Sequence, residues 1–192
     1  MSSADLLGRR LDEVIELFDS LRDERIGRAV TAITDAMVTC LRDGGRVLLC
    51  GNGGSAADAQ HLAAELVGRF VLDRRPFAGI ALADNVAALT AIGNDYSYED
   101  VFQRGVRGIG RPGDVVFGLS TSGGSRNVVK ALEAAREGGM VAVAFVGVDG
   151  SPMTQVADHV IAVGDAATAR VQEAHKFLGH TIFEAVEAQL CG

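Results

Sequence analysis

Five short apolar runs, rich in β-branched residues, recur along the chain: RVLLCG at 46–51, GIALAD at 79–84, DVVFGLS at 114–120, VAVAFVG at 141–147 and HVIAVG at 159–164. None alternates apolar with polar positions, as a strand with one wet face would, so each reads as a strand covered on both sides. The segments between them carry the helical patterns that parallel crossovers need. The pattern predicts an α/β fold with a doubly wound, five-stranded parallel sheet flanked by helices.

Two long helical segments enclose this unit. The first covers much of 4–43, with Leu11, Val14, Ile15, Phe18 and Leu21 at helical spacing. That apolar stripe packs either on the chain's own sheet or on another subunit. The last segment reads as a helix from about 169 to 190 and carries Gln172, His175 and His180. No repeat, low-complexity tract or proline-rich linker divides the 192 residues, so one domain over 1–192 is expected, with the N-terminal helical segment packed on the core or on a neighbouring subunit.

A formal net charge of −7 argues against a chain whose main business is gripping nucleic acid or an anionic membrane, while leaving room for a local anion site. The three cysteines, Cys40, Cys50 and Cys191, are odd in number and lack C-x-x-C spacing. They suggest neither a disulfide framework nor a thiolate zinc site, and they suit a reducing cytoplasm. The opening MSSADLLGRRLDEVIELF mixes charges throughout, and no apolar run reaches membrane-spanning length. A cytoplasmic protein is the expectation.

In an open parallel sheet, ligands bind beyond the carboxyl ends of the strands. Two of those ends open into glycine- and hydroxyl-rich turns, GNGGS at 51–55 and STSGGS at 120–125. In the second, Ser120, Thr121, Ser122 and Ser125 surround two glycines just before a helical pattern. A helix start offers unpaired N–H groups and partial positive charge, so a phosphate can collect donors there without a lysine. The alternative is a plain N-cap at Ser125 with a polar turn before it. Neither loop ends in the Gly-Lys-Ser/Thr of a nucleotide-binding loop or reads G-x-G-x-x-G, which leaves a small phosphorylated ligand such as a phosphosugar.

His61 and Glu65 stand four apart on the helix after GNGGS and share one face. Such a pair is often only an intrahelical hydrogen bond. The last helix adds Gln172 and His180 about two turns apart, so three or four ligands suited to Zn²⁺ become available. His159 and His175 read as ordinary surface or core residues.

Taken together, CGNGGSAADAQHLAAELVGRF, AIGNDYSYEDVF, GLSTSGGSRNVVKALEAAREGGM and ARVQEAHKFLGH, in that order, resemble the phosphoheptose isomerase family of sugar isomerase (SIS) domains, nearly end to end. The resemblance implies a flavodoxin-like fold and a homotetramer with one zinc per subunit. The implied reaction interconverts sedoheptulose 7-phosphate and D-glycero-D-manno-heptose 7-phosphate on the way to nucleotide-activated heptoses. It places metal ligands at His61, Glu65, Gln172 and His180, and substrate contacts at Asn52, Gly53, Gly54, Ser55, Glu65, Asn94, Asp95, Ser120, Thr121, Ser122, Ser125 and Gln172.

Ketose–aldose isomerisation moves a proton between adjacent carbons through an enediolate, so it needs a base and a charge stabiliser. Glu65 is expected as the base at carbon and His180 as the acid/base partner at the oxygens, with the two roles exchangeable. Gly124 stands where many relatives carry Asn, and DRRPF at 73–77 looks like a variable edge. Two other readings compete: a non-catalytic SIS protein of the replication-initiator-binding type, and an isomerase of another phosphosugar.

Overall fold

A computed structural model describes residues 1–164 and 166–192. Its elements run α1 (Ser3–Ser20), α2 (Glu24–Arg42), β1 (Val47–Gly51), α3 (Gly54–Val67), β2 (Gly79–Ala81), α4 (Val86–Asp95), a 3₁₀ turn (Tyr98–Asp100) and α5 (Val101–Ile109). They continue with β3 (Val115–Ser120), α6 (Arg126–Glu137), β4 (Val141–Val146), α7 (Pro152–Val156), β5 (His159–Ala162) and α8 (Thr168–Cys191). The strand order is β2-β1-β3-β4-β5 with every pairing parallel, the flavodoxin-like doubly wound arrangement.

Alternate residues of each central strand feed two cores. Val47, Leu49, Val115, Phe117, Leu119, Val143 and Phe145 face the layer built from α2, α3 and α8. Leu48, Cys50, Val116, Ala142, Ala144 and Val146 face α5, α6 and α7. All of these strand residues are fully buried, which is why the runs are apolar throughout.

The N-terminal helical pattern is two helices rather than one. Its stripe continues through Leu21, but the Asp23 side chain accepts from the Arg25 amide and starts α2 afresh. The helix before the break begins in a capping box between Ser2 and Asp5. α2 buries Ile33, Met37, Val38, Cys40 and Leu41 in the core. In α1 only Leu17 is buried, while Leu7, Leu11 and Ile15 are exposed and the Phe18 ring lies 5.1 Å from that of Phe177 on α8.

Among the described residues, no helix is long and apolar enough to cross a membrane. The three cysteines are free thiols, with Cys40 and Cys50 buried. Burial pushes the Cys50 thiol up to about 12, so it stays protonated and inert.

Candidate functional site

The chain reverses winding direction between β1 and β3, and the crevice at their carboxyl ends is bordered by GNGGS and STSGGS. The close approach of the first loop demands glycine at two positions. A Cβ on Gly51 would stand 2.7 Å from the Ser55 carbonyl oxygen, and Gly53 caps α3 at φ 55°. Ser55 is buried in the first turn of α3.

Asn52 sits in a locked amide pair. It donates to Asn127 Oδ1 at 2.9 Å and accepts from Asn127 Nδ2 at 2.8 Å, and its Oδ1 also accepts from the Tyr98 hydroxyl at 2.8 Å. Tyr98 and the buried Asn127 were not singled out in the sequence. Asn127 opens α6 directly behind the serine loop, and that placement is the one signal that points to it.

In the serine loop, Ser120 Oγ lies 2.9 Å from Ser125 Oγ and 3.5 Å from Ser122 Oγ, and Ser122 Oγ accepts from the Gly124 amide at 3.2 Å. Ser125 occupies the N-cap of α6, yet its side chain makes no capping bond. Its hydroxyl joins the cluster instead, so the plain N-cap alternative does not describe it. Gly124 has open space around its α-carbon, with Ser122 Oγ the sole neighbour at 3.7 Å from a Cβ built there, so the exchange for Asn leaves the loop sterically undisturbed.

Gly123 differs: it holds φ 66°, and a Cβ would collide with the Ser151 hydroxyl. Gly123→Ala is expected to displace the serine loop and raise KM for a phosphorylated substrate about tenfold, with an unchanged far-UV circular dichroism spectrum.

The second cluster forms along the seam between α3 and α8, which run side by side in the same direction. Gln172 places its amide over the α-carbon of Gly54, where a Cβ would meet Nε2 at 2.5 Å. One turn on, Lys176 Nζ pairs with the buried Asp58 at 3.0 Å. Next, His61 Nε2 and His180 Nε2 stand 2.8 Å apart, with Glu65 Oε1 3.5 Å from His61 Nε2. One ligand atom from each of His61, Glu65 and His180 lies within 4.8 Å of the others. Burial, reinforced by the charge of His61, holds the His180 imidazole below its ordinary range although Glu65 pulls the other way.

Two imidazole nitrogens aimed at each other with a carboxylate oxygen beside them are a donor set that fits a borderline cation such as Zn²⁺. Gln172, the fourth expected ligand, stands about two turns away along the seam, beside Gly54. His175 takes no part. It is wholly buried against the Phe145 ring, and burial pushes its pKa down to about 4. His159 lies in β5, away from the seam.

Asn94 and Asp95 end α4, exposed and bonded to each other at 2.8 Å. No hydrogen bond among the described residues ties them to either cluster. Among the described residues, the hydrogen bond from the Tyr98 hydroxyl to Asn52 joins their segment to the first loop. Asp58 and Lys176 were also missed in the sequence, although their spacing of three and four residues from His61 and His180 marks them as members of the same helix faces.

The stretch at 73–77 holds one half of a buried ion pair. Arg74 is buried and bridges to the buried Glu187 of α8 at 2.7 Å, and it donates to the Glu65 and Leu66 carbonyl oxygens at 2.8 and 3.0 Å. Phe77 packs into the core beneath it.

Residues 11–147 match the SIS domain family. The phosphoheptose isomerase of Rhodospirillum rubrum is 49% identical over 170 residues, spanning 87% of this chain and 90% of that protein. The solved phosphoheptose isomerase of Neisseria gonorrhoeae superposes with a TM-score of 0.91 at 37% identity, covering 97% of this chain and all of that one. That of Francisella tularensis gives 0.93 at 31% identity over 98% of this chain and all of its own. With its sheet order, its two loops and its α3–α8 seam, this chain belongs to the phosphoheptose isomerase family of SIS-domain proteins.

Proposed function

We propose that this isomerase interconverts sedoheptulose 7-phosphate and D-glycero-D-manno-heptose 7-phosphate, supplying the heptose for nucleotide-activated sugars. The observation that carries the reading is the meeting of His61, Glu65 and His180 at one point, on a sheet whose switch-point crevice bears a hydroxyl-lined loop. The Ser120, Thr121, Ser122 and Ser125 hydroxyls and the free amides opening α6 bind the phosphate. That remote binding energy orients the reacting end of the sugar. Asn52, Gly53, Gly54 and Ser55 line the crevice beside it, and Asn94 and Asp95 complete the contacts to the sugar.

Glu65 takes the proton from C1 of the ketose and returns it to C2 of the enediolate. His180 serves as the acid/base partner at the oxygens as the carbonyl migrates. His61, Glu65, Gln172 and His180 would hold Zn²⁺, which when bound supplies Lewis-acid polarisation of the substrate oxygens. The exposed α1 stripe of Leu7, Leu11 and Ile15 supports a homo-oligomer, a tetramer in this reading, with a second copy covering that face. The free thiols suit a cytoplasmic setting.

The test incubates purified protein with sedoheptulose 7-phosphate, with and without added zinc or a chelator, and follows the product by NMR. Conversion that zinc supports and the chelator abolishes is expected. Absence of conversion in zinc-loaded protein overturns the reading in favour of a non-catalytic scaffold, and faster turnover of fructose 6-phosphate would reassign the substrate. Native mass spectrometry checks the tetramer.

A further inference from the structure

We propose that Arg74, Glu187 and Phe70 form a clasp that positions both proton-transfer groups, so that the segment between α3 and β2 is part of the isomerisation machinery. The inference rests on the roles given above to Glu65 and His180. The carboxylate of Glu187 accepts three successive backbone amides, Phe70 at 3.2 Å and Val71 and Leu72 at 2.7 Å each, and also Arg74 Nε at 2.7 Å. Arg74 makes three further hydrogen bonds, to the Glu65 and Leu66 carbonyl oxygens at the end of α3 and to that of Arg75.

The same turn sets the Phe70 ring 5.4 Å from the His180 ring at 36°. Glu65 is therefore held through its own backbone, and His180 through an aromatic wall whose amide Glu187 grips. Glu187 lies two turns beyond His180 on α8, so a shift of α8 along its axis moves the imidazole and the clasp together. Residues one step removed from a metal or catalytic group act by fixing its orientation, and losing them costs about 10–100-fold in metal affinity or activity. Among the described residues, no hydrogen bond joins any of the three to the serine loop, so the clasp leaves phosphate binding alone.

Phe70→Leu removes the aromatic wall and keeps every hydrogen bond of the clasp. Arg74→Lys keeps the charge and loses the fork that reaches several carbonyl oxygens at once. In the full chain, both variants are expected to hold Zn²⁺ about tenfold more weakly by competition with a chromophoric chelator. Their kcat on sedoheptulose 7-phosphate should fall about tenfold while KM stays within about twofold, and Phe70→Tyr should restore both readings. A folded Phe70→Leu protein with parental zinc affinity and parental kcat overturns the clasp. A parent protein that fails to isomerise the sugar overturns the function proposed above, whereas weakened zinc binding in the variants still supports the clasp.

Discussion

Glu65→Gln is expected to lower kcat for sedoheptulose 7-phosphate by about 10³-fold, the scale on which a positioned general base contributes. The amide keeps the volume and one oxygen of the carboxylate but cannot accept a carbon-bound proton. Because Glu65 Oε1 also lies 3.5 Å from His61 Nε2, at the point where a cation fits, loss of metal and loss of base must be told apart. Steady-state kinetics on protein whose zinc content has been matched to the parent does so. A kcat within tenfold of the parent under that condition would remove Glu65 from its role. Exchange of solvent deuterium into C1 or C2 during turnover, lost in the variant, reports the same proton from the substrate's side.

Glu187→Ala should destabilise the protein strongly. Its carboxylate and Arg74 are 2% and 4% exposed, so truncating one leaves a buried guanidinium unpaired and three amides without their acceptor. Breaking a buried pair in this way costs about 3–5 kcal/mol, measurable as a lower urea midpoint.

The pair also contributes to the acid limb of the stability curve. Burial pushes the Glu187 carboxyl up, but the amides of Leu72, Val71 and Phe70 and the Arg74 guanidinium outweigh it and hold the group below its ordinary 4.5. The depressed folded value means that the unfolded chain binds more protons as the pH falls. The contribution is complete above about pH 4.5 and is lost as the pH drops through the lower folded value. Glu187→Ala should flatten that part of the stability–pH curve, whereas an unchanged acid limb would show that other carboxylates govern it.

Much of this was legible in the residues. The strands declared themselves because a sheet covered on both faces has no polar positions to spare, and all five apolar runs contain a strand. The run at 79–84 was longer than its strand, since β2 is an edge with pairing on β1 alone and ends at Ala81. His61, Glu65 and His180 were readable from helical spacing once both helices were recognised. The break between α1 and α2 was hidden because the apolar stripe runs straight across it, while the cap that makes it is a single side chain.

Arg74 was hidden for a different reason. Within DRRPF it is one charge among several, and its burial depends on a partner 113 residues away. Asn127 and Tyr98 are alike in this: their bonds to Asn52 join three separate parts of the chain, and no local pattern encodes such a meeting.

The α3–α8 seam joins partners far apart in the chain, among them Asp58 with Lys176 and, 119 residues apart, His61 with His180. During synthesis, α3 leaves the ribosome long before its counterpart exists, and the intervening strands can assemble first. A nascent protein that has already built most of its sheet still lacks half of every pair on that seam. Onset of sugar turnover in a translation reaction would therefore time the docking of the last helix rather than collapse of the core.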